Sequence, residues 1–163
     1  QKLRDLGAHV EPVPPHFSPE AVWQTWLAWR RVLTASRIAP MVERDRDACK
    51  PEAVWEYEQA QGMTANAFLQ ASTERTVFLQ QMLQHFDTHD VLVLPSAQVW
   101  PFAIDTRWPS EIHTTKGAVR MDTYHRWMEV VIYATLAGLP CISVPVGFNT
   151  RRHSRKTLTR RRM

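Results

Sequence analysis

The sequence is poor in several residue types on which catalytic sites depend. Its 163 residues include five glycines, four lysines and two cysteines. It contains no Gly-x-Ser-x-Gly turn and no Ser-x-x-Lys pair, two arrangements that activate a serine nucleophile. None of the lysines lies in the apolar setting that a general-base lysine requires. The sequence therefore shows no self-contained hydrolase site.

The two cysteines exclude two further classes of protein. Cys49 and Cys141 are far apart and have no CxxC or metal-ligand spacing, so neither a disulfide framework nor a zinc site is predicted. Cys141 lies in an apolar run and is expected to be a small buried hydrophobe. No secretory signal opens the sequence, and we expect a cytoplasmic protein without cofactor or metal. Because Gln1 begins in mid-pattern, we also expect a part of something longer.

Charge is distributed unevenly along the chain. Lysine and arginine number 20 against 16 acidic residues, but residues 151–163 hold seven of the basic residues and no acid. The remaining 150 residues carry 13 basic and 16 acidic residues, a net charge of −3. A mildly acidic body lacks the electrostatic footprint of a nucleic-acid-binding domain. We expect no nucleic-acid partner, and we expect the basic segment to be disordered.

Capping and stop signals predict four helices. They are predicted over residues 19–40, 51–61, 64–86 and 124–137, followed in the last case by Gly138 as a stop. The predicted caps are Ser18, Thr64 and either Asp122 or Thr123. Pro19 supplies the proline favoured at the first helical position, and Pro40 is expected to end the first helix.

Three apolar segments are predicted as strands. They cover residues 8–13, 90–95 and 141–148, and residues 96–120 between the second strand and the last helix are predicted as a loop. The order strand, helices, strand, helix, strand is typical of an α/β fold in which helices cover a largely buried sheet.

Residues 130–148 form the one stretch with the length of a membrane span. This stretch holds 19 residues without a charge and is followed by an arginine pair. Gly138 and Pro140 interrupt any helix through it, and Pro145 interrupts the segment that follows. We therefore predict a helix and a strand, and no membrane association.

Several polar residues have both a functional and a structural interpretation. His85 and His89 have the i, i+4 spacing of metal ligands, but a solvated helix end explains them better. Ser96 follows a predicted strand, where functional loops often lie, but a turn serine explains it better because no base follows. Glu52 and Glu56 share a helix face and are interpreted as a surface edge.

The beginning of the last predicted helix holds a polar and aromatic cluster. Tyr124, His125 and Trp127 lie in its first turns, ahead of an apolar segment. Such a cluster can face a cleft at the N-terminus of a helix, or it can form a capping turn packed into the core. The residues alone leave both interpretations open.

Four motifs resemble the C-terminal half of amidase signature family enzymes. They read "GAHVEPV", "WEYEQAQGMT", "DVLVLPSAQVWPF" and "TYHRWMEVVIYATLAGLPCISVPVGFN", in the family's order, over residues 1–149. The last motif is the most specific. The resemblance implies an α/β fold with a partial mixed β-sheet covered by helices, an incomplete amidase signature fold. It also implies amide hydrolysis through a serine acyl-enzyme. In the family, a second serine and a lysine activate the nucleophilic serine, and backbone amides form the oxyanion hole.

None of the family's catalytic residues can be transferred to this sequence, which has no Gly-Gly-Ser-Ser stretch. The resemblance instead implies one wall of a substrate cleft. The candidate wall residues are Ser96, Trp100, Phe102, Tyr124, His125 and Trp127. Together with Trp108, these tryptophans indicate only that an apolar or aromatic group is tolerated. The partner expected for the complete enzyme is a small-molecule amide, and a homodimer of that enzyme is compatible with the resemblance.

The sequence departs from the family after residue 149. Relatives continue with a "GLP" turn and a further strand, whereas residues 150–163 are rich in arginine. We interpret this segment as a disordered tail or the product of a shifted reading frame. Two other functions stay open: a noncatalytic α/β binding module whose tail contacts nucleic acid or an acidic membrane surface, and a noncatalytic subunit of a split enzyme.

Overall fold

The computed structural model describes residues 1–145 and Gly147. The predicted tail, Lys156, and Val146 and Phe148 of the third predicted strand lie outside the described residues. The described residues divide into two compact units, Val13–Cys141 and a smaller one of Gln1–Pro12 with residues 142–145 and Gly147. The helices are α1 (Lys2–Asp5), α2 (Pro19–Arg44), α3 (Pro51–Ala60), α4 (Ala65–His85), a 3-10 helix (Arg126–Val131) and α5 (Ile132–Ala137); the strands are β1 (Glu111–Thr114) and β2 (Gly117–Arg120).

Helix α2 begins as the sequence predicts. The Ser18 hydroxyl accepts a hydrogen bond from the backbone N–H of Ala21 at 3.3 Å, and Pro19 occupies the first turn. The predicted end at Pro40 is wrong, because the helix continues to Arg44. Pro40 removes one intrahelical hydrogen bond, but the last turn places Val42 in the interior at 4% exposure, which favours its continuation.

Helices α3 and α4 also match their predicted positions within a few residues. The Thr64 hydroxyl accepts from the N–H of Ala67 at 3.1 Å and caps α4. Helix α2 packs against both α3 and α4, and α4 packs against α5. The core between them is apolar and consists of Val22, Trp23, Leu27, Phe78, Met82, Ile132, Leu136 and Ala137. This helical core positions the site described below.

The last predicted helix is shorter than expected and begins as a 3-10 helix. Met128 has non-helical dihedral angles (φ −117°, ψ 21°) within the 3-10 segment, and regular α-helix begins only at Ile132. Thr123 does not cap the helix, because its hydroxyl is hydrogen-bonded to Nδ1 of His125 at 2.7 Å. Gly138 ends α5 with a positive φ of 72°, as predicted, since glycine adopts this conformation without a steric penalty.

The sheet differs from the predicted one. Its two strands, β1 and β2, pair antiparallel, with Thr114 opposite Gly117, and both lie in the segment predicted as a loop. The described parts of all three predicted strands form no ladder, and the predicted mixed sheet is absent from the described residues. A strand with a continuous apolar run needs partner strands and covering layers. At the level of fold class, the helices and the small sheet are compatible with an α/β fold.

The smaller unit contains α1 and the turn that follows it. The N–H of Ala8 donates to the carbonyl of Leu3 at 3.0 Å, and Arg4 donates to the carbonyl of Val10 at 2.6 Å. Gly7 lies in the turn between them and has a positive φ of 91°. The chain therefore leaves α1 through a turn at Gly7.

Both cysteines are free thiols. The expectation that Cys141 is buried is wrong, because it lies exposed just after the end of α5. Cys49 is half-buried, and its thiol donates to the carbonyl of Asp45 at 3.3 Å. Within residues 1–145 and Gly147, no helix combines the length and the apolar character that a membrane span requires.

Candidate functional site

The turn at residues 124–127 joins the hairpin to the 3-10 helix. Its backbone is held by hydrogen bonds from the N–H of Arg126 to the carbonyl of Thr123 (3.3 Å) and from the N–H of Met128 to that of His125 (3.0 Å). The indole N–H of Trp127 donates to the carbonyl of Tyr124 at 2.9 Å. The turn is therefore fixed by its own backbone and by a side chain that folds back on it.

Residues 96–102 lie against this turn. The N–H of Gln98 donates to the carbonyl of Trp127 at 3.3 Å, and the Gln98 side chain accepts from the N–H of Val130 at 3.3 Å. The rings of Phe102 and Trp127 meet edge to face with centroids 5.3 Å apart. Two segments that are distant in sequence thus form one surface.

The six candidate wall residues differ in exposure. Ser96 is exposed, Trp100 is 66% exposed and Phe102 is 38% exposed, so the loop side of the surface is open to solvent. Tyr124 and Trp127 are half-buried. His125 is fully buried, and its ring does not reach the surface of the described chain. A wall function for each of these residues stays a prediction.

A buried carboxylate lies beneath the turn. Glu56 of α3 is 1% exposed, and its Oε1 accepts from Nε of Arg30 at 2.6 Å and from the Tyr124 hydroxyl at 2.7 Å. Arg30 also donates through Nη2 to the Tyr124 oxygen at 2.9 Å. The interpretation of Glu56 as a surface edge is therefore wrong, whereas Glu52 lies nearer the surface and pairs with Arg107.

His125 completes this polar network. Its Nε2 lies 3.4 Å from Oε1 of Glu56, a contact too poorly aligned for a hydrogen bond, and its Nδ1 is bonded to Thr123. A carboxylate only accepts, so Glu56 favours the ring tautomer with its proton on Nε2, in which the Thr123 hydroxyl donates to Nδ1. Three indole rings meet the imidazole edge to face, with ring centroids 4.9 to 6.0 Å apart; they belong to Trp23, Trp26 and Trp55.

The network sets the ionisation of its members. Burial opposes the charge on Glu56, but its contacts with His125, Tyr124 and Arg30 prevail and hold the pKa of its carboxyl below the ordinary value. Burial and the Glu56 carboxylate raise the pKa of Tyr124, so the phenol keeps its proton. Because Glu56 is ionised and its Oε1 already accepts from Arg30 and Tyr124, it is suited to positioning the turn and not to transferring a proton.

Arg126 ties the same turn to the beginning of α2. Its guanidinium contacts Glu20 at 2.6 Å and Glu129 at 2.9 Å, and it lies 4.7 Å above the ring of Trp23. The hydrogen bond from Arg126, with one from Gln24, lowers the pKa of Glu20. Burial raises the pKa of Glu129. The turn is thus anchored on one side by Glu56 and on the other by Glu20.

Residues 1–145 and Gly147 contain neither a buried lysine nor a cluster of metal-binding side chains. The lysines in this range, Lys2, Lys50 and Lys116, are all exposed. No group of three histidine, cysteine or acidic side chains there could hold a metal ion. His85 is buried, not solvated, with the ring of His16 5.2 Å away.

Three residues of the network were missed in the sequence, each in a different way. Arg30 was not named, Glu56 was interpreted as a surface residue, and Thr123 was considered only as a helix cap. One signal was present for Glu56, since Trp55 and Tyr57 flank it on a short helix with few other apolar residues. A buried acid needs a partner of opposite charge, and Arg30 follows a tryptophan-rich helix face. An acid between two aromatic residues was therefore a candidate for burial.

The pH dependence of stability should reveal the charge on Glu56. Because its pKa is lowered in the folded protein, its contribution is present above the ordinary value of 4.5 and is lost as the pH falls through the lowered pKa. Other acids titrate nearby, so the unfolding free energy of the Glu56→Gln variant is subtracted from that of the wild type between pH 7 and pH 3. The difference should shrink in acid; a constant difference would contradict an ionised Glu56.

The comparisons with known proteins agree with the motifs. The family model described as Amidase matches residues 1–153. No curated protein and no solved structure matches the chain.

Proposed function

The chain belongs to the amidase family, and we propose that it is part of an enzyme that hydrolyses amide bonds in small molecules through a serine acyl-enzyme. The observation that carries this proposal is the family match over residues 1–153. The nucleophilic serine, the second serine and the lysine of the family have no counterpart in the 163 residues. We propose that another segment supplies them and that this chain alone is inactive.

In this proposal the chain contributes one wall of the substrate cleft. The contact between Phe102 and Trp127 joins the two segments that the resemblance assigns to the wall. Their rings, with the exposed Trp100, offer apolar surface to an aromatic or aliphatic substituent of the amide. Tyr124 is hydrogen-bonded to Glu56 and Arg30, so it orients the turn and does not transfer a proton.

Unpaired apolar segments support the proposal of an incomplete fold. Residues 91–94 are exposed by 70, 36, 60 and 40%, although their sequence is typical of a strand buried on both faces. We propose that these residues pair with strands of the segment that carries the catalytic serine, and that the complete sheet is the mixed sheet of the family. The two free thiols fit a reducing compartment, and we propose the cytoplasm.

Co-expression tests the proposed function. The chain is produced with a family segment that carries the Gly/Ser-rich loop and the lysine, and hydrolysis of an aryl amide is measured. Turnover is expected only when both are present. Trp127→Ala should lower kcat/KM by about tenfold or more, since covering an apolar side chain of this kind with a substrate substituent contributes about 1.5–3 kcal/mol.

Leu69→Ala is the matched control, because Leu69 is an exposed apolar residue on α4, away from the turn. It should leave kcat/KM unchanged. Equal losses in the two variants would contradict the wall assignment. Turnover by the purified chain alone would contradict the proposal that its catalytic residues lie elsewhere.

A further inference from the structure

A cleft of about 280 Å³ lies where α2, α4 and α5 meet. Trp26 and Trp29 of α2 form its aromatic lining, and three arginines lie among them: Arg30, Arg37 and Arg75. The two α2 arginines that line the cleft, Arg30 and Arg37, are seven residues apart and therefore lie on one face of the helix. The cleft thus combines flat apolar surface with a concentration of positive charge.

The positive charge of the cleft is only partly neutralised. Arg30 is paired with Glu56 beneath the cleft. Arg75 donates through Nε to the carbonyl of Leu136 at 2.7 Å, but it has no carboxylate partner in the described chain. Arg37 is exposed and makes no hydrogen bond or ion pair with any residue that the structure describes. No acidic residue lines the cleft.

The two tryptophans of the cleft are fixed in place by their neighbours. The guanidinium of Arg75 lies 4.7 Å from the ring centroid of Trp29, and that of Arg30 lies 5.3 Å from that of Trp26. Trp23 stacks on Trp26 with centroids 5.0 Å apart, and Phe68 lies 4.8 Å from Trp29. These contacts hold both side chains before any ligand arrives and leave the ring edges to line the cleft. Arg75 is held in addition by its hydrogen bond to α5. A preorganised wall of this kind reduces the entropic cost of binding.

Size and charge together define the class of ligand. A volume of about 280 Å³ is near the lower limit of small-molecule sites, which span about 300–1,000 Å³. Guanidinium groups bind carboxylates through paired hydrogen bonds, and the edge of one aromatic ring packs favourably against the face of another. We infer that this cleft is a binding site for a small aromatic monocarboxylate, held by Arg37 and Arg75 with its ring against the edges of Trp26 and Trp29.

This inference does not rest on the proposed amide hydrolysis. The cleft is lined by α2, α4 and α5, and none of the six candidate wall residues lines it. Two lining residues connect it to the Glu56 network: Arg30, through the ion pair beneath the cleft, and Trp26, whose ring meets that of His125 at 4.9 Å. An inactive chain can therefore still bind the carboxylate.

Calorimetric titration of the monomeric full chain with benzoate tests the inference. Benzyl alcohol replaces the charge with a neutral group, and inorganic phosphate supplies charge without a ring. Benzoate should bind at least about tenfold more tightly than either. Arg37→Gln should weaken benzoate binding by about fivefold or more, while Arg37→Lys should retain part of it.

Arg44→Gln is the matched control. Arg44 is an exposed arginine in the last turn of the same helix and does not line the cleft, so the change in net charge is identical. It should leave benzoate affinity unchanged, and circular dichroism should show that both variants keep their helices. The inference is overturned if benzoate does not bind, if it binds no better than benzyl alcohol or phosphate, or if Arg37→Gln and Arg44→Gln have equal effects.

Discussion

Glu56→Ala is expected to lower the free energy of unfolding by about 3–5 kcal/mol, the usual cost of removing one partner from a buried ion pair. The substitution removes from the interior the common acceptor of Arg30, whose side chain is 30% exposed, and the half-buried Tyr124 hydroxyl. It also removes the carboxylate that faces Nε2 of His125. Small domains are stable by about 5–15 kcal/mol, so this loss is a large part of the total. Urea denaturation followed by tryptophan fluorescence measures it.

Two variants separate the buried charge from other effects. Glu56→Gln keeps the shape of the side chain and should cost less than the alanine variant, because an amide oxygen still accepts one hydrogen bond. Glu52→Ala removes a more exposed partner on the same helix and should cost about 0–1 kcal/mol. Similar losses for Glu52→Ala and Glu56→Ala would show that Glu56 is not the centre of a buried network.

The chain is expected to self-associate in a concentration-dependent manner, because residues 91–94 expose four consecutive apolar side chains. The backbone N–H and C=O groups of the same residues pair with no described strand, so they form a template for strand pairing between molecules. Replacing Val91 and Val93, exposed by 70 and 60%, with lysine should reduce the associated fraction several-fold. Light scattering coupled to size-exclusion chromatography measures this fraction.

The double variant Leu69→Lys with Val77→Lys is the matched control for the added charge. Leu69 and Val77 are 63 and 53% exposed on α4, so the substitutions add the same two charges at similarly exposed positions away from residues 91–94. The control should change association much less than the variant at residues 91 and 93. A monodisperse monomer with a sharp, cooperative melt in the unmodified chain would contradict the expectation.

Local signals predicted the helices well because the caps are local. Ser18 and Thr64 bind N–H groups three residues ahead, and Gly138 adopts a positive φ, so a few neighbouring residues determine each boundary. Pro40 was misinterpreted because its effect depends on tertiary packing. The burial of Val42 beyond it is a property of the whole helix layer.

The strands were predicted less well, for a nonlocal reason. Residues 90–95 have the composition of a buried strand, but a ladder needs a partner, and no described segment pairs with them. The hairpin of β1 and β2 was missed because its strands have four residues each and only a short apolar alternation. Its register depends on the turn between Thr114 and Gly117.

The candidate site was predicted only in outline. The resemblance named Phe102 and Trp127, and the structure places their rings in contact. The buried network under the turn could not be predicted, because Arg30, Glu56 and Tyr124 come from three distant segments. Whether an acid is exposed or buried depends on which helix faces meet, and a single sequence does not contain that information.

The most direct test of the central claim is intact mass spectrometry after incubation with an activated aryl ester, with product release recorded in parallel. The claim is that this chain supplies a cleft wall but no nucleophile of its own. The account predicts an unchanged mass for the chain and no product above the buffer rate. A stoichiometric acyl adduct on a serine of this chain, or a burst of product, would contradict it.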